Sequence, residues 1–103
     1  MSQPRYRIEF APSAIDHLRG LPARDRRIIL DGTETRLSHE PTSPGRNRKL
    51  LRTNNLSTWE LRLGNYRVYY DVESGKLQVT VRAIGRKVRD KVVIEGLERK
   101  LTE

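Results

Sequence analysis

Hydrophobic positions along this chain switch between a period of two and a period near four, and each switch marks an element. Tyr6, Ile8 and Phe10 alternate with Arg7 and Glu9, which predicts a first strand over residues 5–10. Pro12 then opens a helical stretch, with Ser13 placed to cap it and Asp16 three residues on. Ile15 and Leu18 supply its apolar side, and Gly20 with Pro22 ends it. A second helix is predicted from about Ala23 to Leu37, where Ile29, Thr33 and Leu37 share a face with Leu30. The two helices make an antiparallel hairpin. Two prolines and a glycine make residues 39–48 a loop, and Lys49-Leu50-Leu51-Arg52 is apolar enough to dock after it.

The period of two returns in WELRLGNYRVYYDV, residues 59–72. Trp59, Leu61 and Leu63 alternate with Glu60 and Arg62, Gly64-Asn65 supplies a tight turn, and Tyr66, Val68, Tyr70 and Val72 alternate with Arg67, Tyr69 and Asp71. A two-residue turn pairs Leu63 with Tyr66, Arg62 with Arg67 and Glu60 with Tyr69. Trp59, Tyr66 and Tyr70 then belong to the core. A third strand follows the turn Glu73-Ser74-Gly75-Lys76, with Leu77, Val79, Val81 and Ala83 on its apolar side. Pairing Val72 with Leu77 sets Arg82 opposite Arg67. Arg62, Arg67 and Arg82 then form one row, and Glu60, Tyr69 and Thr80 the next. Like charges directly opposed in a sheet destabilise it, so the row reads as a receptor for an anion. A solvated polar face is the bland alternative. Residues 90–101 return to helical spacing through Val93, Leu97 and Leu101.

Charge sharpens this picture. The chain has 103 residues, room for one domain, and a formal net charge of +8. Residues 41–89 hold 11 basic residues (Arg46, Arg48, Lys49, Arg52, Arg62, Arg67, Lys76, Arg82, Arg86, Lys87 and Arg89) against Glu60, Asp71 and Glu73, while the rest of the chain cancels. A basic excess confined to one region suits the phosphates of a nucleic acid, or an acidic protein segment. No basic amphipathic helix lies there, so a membrane surface fits poorly. Neither a bilayer-spanning run nor a signal-peptide core appears, and a cytoplasmic protein is expected. Without cysteine there are no disulfides and no thiolate chemistry. His17 and His39 lack partners at ligand spacing, so neither a metal nor another cofactor is expected.

The order strand, helix, helix, strand, strand, strand, helix, together with LRLGNYRVYYDV and VRAIGRKVR, resembles the toxins of the RelE/ParE superfamily of type II toxin–antitoxin systems. The similarity extends to YRIEFAPSAIDHLRGLP at the start and to RKLLRTNNLSTWELR, where Ser57 or Thr58 stands in place of the usual glycine before the tryptophan. The expected fold is α+β, a single domain over residues 1–103 in which a small antiparallel sheet carries an N-terminal helical hairpin.

The resemblance implies a toxin, and RelE-type members are ribosome-dependent, metal-independent mRNA endoribonucleases that activate the ribose 2′-hydroxyl in the ribosomal A site. Arg67 matches the arginine expected to stabilise the transition state, and Lys87 with Arg86 matches the phosphate clamp. Thr58 and Glu60 stand where the best-known nucleases carry lysines, and Val93 where they carry a tyrosine. Glu60 and Tyr69, with His39 as a further candidate, are the groups left to exchange protons, although Glu60 can equally form a salt bridge to Arg62 or Arg67. Arg62, Arg82, Arg89, Arg46, Arg48, Lys49 and Arg52 are the expected RNA-binding cations. The implied partners are an antitoxin whose acidic or amphipathic segment displaces the C-terminal helix, the ribosome and mRNA, with DNA reached only through the antitoxin. Two rival readings remain: a ParE-like toxin acting on DNA gyrase, and a catalytically inactive RNA- or ribosome-binding module.

Overall fold

In a computed structural model, residues 4–53 and 56–94 are described, together with the backbone of 97–99. The elements run β1 (Arg7–Phe10), α1 (Pro12–Arg19), α2 (Ala23–Leu37), β2 (Arg48–Leu50), β3 (Trp59–Leu63), β4 (Tyr66–Glu73), β5 (Gln78–Val88), β6 (Lys91–Ile94) and β7 (Leu97–Arg99). Among the described residues the sheet has seven strands, in the order β2-β3-β4-β5-β6-β7, with β1 parallel to β5. It is the expected α+β architecture, a sheet carrying an N-terminal helical hairpin.

One face of the sheet is built by β-period alternation and covered by the helices. Trp59, Leu61, Val68, Tyr70, Val79, Val81 and Ile84 meet Ala14 and Leu18 of α1 and Ile29 and Leu37 of α2 in one core. Thr33 is buried with Ile29 and Leu37, as the four-residue spacing predicts. Leu30 is 44% exposed and Ile15 40% exposed, so these two do not join the apolar faces expected of them. Each sits about a third of a turn from a buried neighbour, and helices this polar bury only a narrow stripe. Trp59 and Tyr70 stack with centroids 6.2 Å apart, and the Tyr70 hydroxyl donates to the Pro41 carbonyl at 2.6 Å.

The β3–β4 hairpin has the predicted register, Arg62 opposite Arg67 and Glu60 opposite Tyr69, around a turn in which Gly64 takes φ +57°. The β4–β5 hairpin does not. Ser74–Lys76 form a turn of 3₁₀ helix and Leu77 takes φ +48°, so Val72 faces Val79 instead of Leu77. A bulge between Tyr69 and Tyr70 then adds one more residue of offset. Arg67 consequently faces Gly85, Tyr69 faces Ala83, and Thr80 lies opposite Asp71. Arg82 is the extra residue of the bulge and does not stand in the arginine row.

The C-terminal helix expected over residues 90–101 is absent from the described part of that range, which forms β6 and β7, while Leu101 lies outside the described residues. A turn at Arg89-Asp90, with Arg89 at φ +60°, folds β6 back on β5, and the β-branched run Val92-Val93-Ile94 suits an extended strand better than a helix.

Helix α1 has a second task. β1 pairs with residues 78–81 of β5 and β6 with residues 86–88 along the same edge, which leaves a notch between them. Ser13 does not cap its helix: its hydroxyl donates to the Arg82 carbonyl at 2.8 Å, and the Ile84 amide donates to His17 Nδ1 at 3.0 Å. Two side chains one helical turn apart thus satisfy backbone groups that the strands leave open.

Candidate nucleic-acid interface

The opposite face of the sheet gathers the site. Alternation places Glu60 and Arg62 of β3, Arg67, Tyr69 and Asp71 of β4, and Gly85 and Lys87 of β5 on it. The sequence left open where Lys49 would go. Its pairing with Glu60 brings it onto the same face, forming a row Lys49, Glu60, Tyr69, Ala83 beside the row Arg62, Arg67, Gly85. Lys49, Arg62 and Lys87 are exposed, and none of the three makes an ion pair among the described residues. Elsewhere several arginines are ion-paired, among them Arg7 with Glu9, Arg19 with Asp16 and Arg27 with Asp31, whereas Arg24, Arg26 and Arg36 of α2 make no ion pair among the described residues. What sets this face apart is that its three exposed cations surround a buried fourth.

Arg67 differs from its neighbours. It is 5% exposed, and its Nη1 donates to the carbonyls of Gly64 at 2.7 Å and Tyr66 at 2.9 Å. The hairpin turn thus holds the guanidinium at the centre of the face. Tyr69 is buried outright, packed with Ala83 and Ile94 and flanked by Leu51, Leu56 and Val92. Burial pushes its hydroxyl well above the usual tyrosine range, the Glu60 charge adds to this, and Arg67 opposes it. No hydrogen bond of ordinary geometry reaches that hydroxyl, and Glu60, opposite it on β3, raises it both by its charge and as an acceptor for its proton. In this conformation Tyr69 has no surface from which to stack on a base or pass a proton, which removes it from the expected acid–base pair. Glu60 is half-buried and makes no salt bridge to Arg62 or Arg67.

Other expected residues lie apart. Arg82 Nε donates to Asp71 at 2.9 Å, and the Thr58 amide donates to the same carboxylate at 2.7 Å. Burial works to raise the Asp71 pKa, but these donors outweigh it and hold the carboxyl below the usual range. Arg48 is spent on the Ser43 carbonyl at 3.1 Å and on Glu40 at 3.9 Å, which fastens the loop. Arg86 alternates with Lys87 and so turns to the helix side, lining a cavity of about 420 Å³ with His17, Asp25 and Tyr66. There Tyr66 donates to Asp25 at 2.6 Å. The expected Arg86–Lys87 clamp is split across the sheet. Arg52 lines a separate cavity with Leu56, Thr58 and Asp71, and Arg46 and Arg89 are exposed on turns. His39 contacts the Pro4 carbonyl at 3.4 Å at the end of α2, in the company of Thr35, Arg36 and Glu40, and does not reach the arginine row. Among the described residues no group of three or more metal-ligating side chains gathers, and no helix is long and apolar enough to cross a membrane.

This geometry sits on a chain whose residues 8–91 match the sequence model described as ParE toxin of type II toxin-antitoxin system, parDE. The chain belongs to the ParE toxin family. The toxin is also similar in structure to a chain of the toxin–antitoxin complex RelBE2 from Mycobacterium tuberculosis, with a TM-score of 0.73 and 26% identity over 84% of this chain and 95% of that one. A chain of the archaeal RelE–RelB complex from Pyrococcus horikoshii OT3 gives a TM-score of 0.66 and 25% identity, covering 82% of the toxin and 98% of its counterpart. No curated protein matches it in sequence. The toxin is thus a type II toxin of the RelE/ParE superfamily, with the superfamily's fold.

Proposed function

We propose that this toxin is a ribosome-dependent, metal-independent mRNA endoribonuclease that stops translation in the cytoplasm. The observation that supports it is the convergence of Lys49, Arg62 and Lys87 around Arg67 on one sheet face, all three without ion pairs. Cleavage by a ribose 2′-hydroxyl builds negative charge on a crowded phosphorane, and cations fixed by a sheet stabilise it without reorganising. Arg62 and Arg67 face each other across β3 and β4 at the place where such a phosphate would lie, and Lys87 offers a proton or a charge to the leaving oxygen. Glu60, adjacent to both rows, is the carboxylate able to accept the hydroxyl proton. Arg46, Arg52 and Arg89 extend the positive rim for the RNA backbone.

An antitoxin partner goes with this role, because both structural relatives above were solved as toxin–antitoxin complexes. An acidic segment covering Lys49, Arg62 and Lys87 would neutralise the face. Action on DNA gyrase is the second reading, favoured by the ParE description of the matching family and by the burial of Arg67 and Tyr69. Primer extension on mRNA in a cell-free translation reaction, with and without ribosomes, separates the two. Ribosome-dependent cuts that vanish in Arg62→Met/Lys87→Met support the nuclease. Intact mRNA with gyrase-linked DNA breaks on expression would replace it.

A further inference from the structure

Arg67 is a guanidinium, yet it is 5% exposed and faces no carboxylate in ion-pairing distance among the described residues. Its Nη1 is spent on two carbonyl oxygens, and little of the remaining guanidinium is open to a phosphate from where it lies. Its neighbour across β4 and β5 is Gly85, the one position in the row without a side chain. That space is taken by β6. A Cβ at Gly85 would fall 2.6 Å from Val92 Cγ1, 2.9 Å from Ile94 Cγ1 and 3.3 Å from the Val93 carbonyl. Ile94 continues past the glycine to bury itself against Tyr69 and Ala83. Two apolar side chains from a neighbouring strand therefore fill the gap that the glycine leaves opposite Arg67.

The strand that supplies them lies between β5 and β7, and its hold on the rest of the sheet is its pairing with β5. β6 joins β5 through three register pairs, Arg86 with Val93, Lys87 with Val92 and Val88 with Lys91. A hairpin that short is marginal without its packing. It also lies almost wholly beyond residues 8–91, the part that matches the ParE family model.

We infer that β6 is a strap over Arg67. Closed, Val92 and Ile94 fill the Gly85 notch and seal the guanidinium against the hairpin turn. Lifted from β5, it frees the guanidinium to leave the Gly64 and Tyr66 carbonyls for a phosphodiester held between Arg62 and Lys87. The outer cations capture the polyanion first, and the central one engages only after the strap opens. The identity of the ligand rests on the nuclease reading above; the opening itself does not.

The absence of cysteine makes a direct test available. Arg86 and Val93 are antiparallel partners on the helix side, away from the cationic row, and such partners stand about 4.5–5.5 Å apart at Cα, within disulfide range. The double variant Arg86→Cys/Val93→Cys is measured oxidised and reduced, beside each single cysteine variant. Two signals are read: ribosome-dependent mRNA cleavage, and exchange of the Arg67 Nε proton by NMR. Oxidation is expected to slow both at least tenfold, with full recovery in dithiothreitol and no response in the single variants. Equal exchange in the two forms, or equal cleavage by a fully oxidised sample, overturns the strap. Lock-dependent exchange with no cleavage by either form retains the strap and removes the nuclease reading.

Discussion

The two faces of one sheet in this toxin are held by different physics. On the helix side most strand residues are apolar and packed against α1 and α2, and the Tyr70 hydroxyl has a partner. On the other side a smaller apolar cluster around Tyr69 adjoins Lys49, Arg62 and Lys87, which make no ion pair among the described residues. The first face supplies stability, and the second leaves attraction unspent for a ligand. A tyrosine on each face, adjacent in sequence, makes the contrast measurable.

The largest effect expected is on the helix side. Leu61→Ala, at a fully buried core position, should cost about 3 kcal/mol in chemical denaturation. An equal loss from a truncation at exposed Arg62 would erase the distinction. Next comes Arg62→Met/Lys87→Met, expected to lower ribosome-dependent cleavage by about 100-fold, about 2.7 kcal/mol in barrier, while stability stays within about 0.5 kcal/mol. A parallel fall in melting temperature would make those residues structural. The tyrosines sharpen the comparison: Tyr70→Phe loses the bond to Pro41 and should cost about 1 kcal/mol. Tyr69→Phe removes a buried hydroxyl that has no partner and should be neutral or stabilising by urea titration.

The smallest effect concerns pH. Because the Asp71 carboxyl is held below its usual range in the fold, its contribution is present above the unfolded value near pH 4 and is lost as pH falls through the folded value. Asp71 and Arg82 are both partly exposed, so screening keeps this to roughly 1 kcal/mol or less. Asp71→Asn should flatten the acid limb of the stability curve by that amount, and an unchanged limb would show that Asp71 contributes nothing to it.

What could be read from the chain follows the same division. The register of β3 and β4 was legible because Gly64-Asn65 fixes a two-residue turn and apolar alternation fixes the faces. Ile29, Thr33 and Leu37 declared the buried stripe of α2 by spacing alone. The β5 register was not legible, since Leu77 adopts a left-handed conformation that its residue type does not announce, and the bulge at Tyr69/Tyr70 leaves no mark in the alternation. Arg82 falls out of the arginine row for those two reasons together. At the C-terminus, apolar residues at helical spacing competed with three consecutive β-branched ones, and pairing to β5 decided for strand. Lys49 shows in the sequence as a cation, but its place on this face depends on how β2 pairs with β3. The strand alternation puts Arg67 on this face, whereas its burial depends on packing that no local pattern encodes.

The pair Ser13 and His17 fixes how the helical layer is seated. Because the Ile84 amide is the donor, Nδ1 of His17 is an acceptor, and a neutral ring must carry its proton on Nε2. One helical turn away, Ser13 donates to the Arg82 carbonyl. The helix is therefore keyed to the strand by two teeth of opposite polarity, one giving and one receiving. Moving it by a single residue would bring Pro12 and Asp16, or Ala14 and Leu18, to those two places, and neither pair offers both a donor for the carbonyl and an acceptor for the amide. Eight residues with two buried apolar side chains could pack in several registers; the two hydrogen bonds select one.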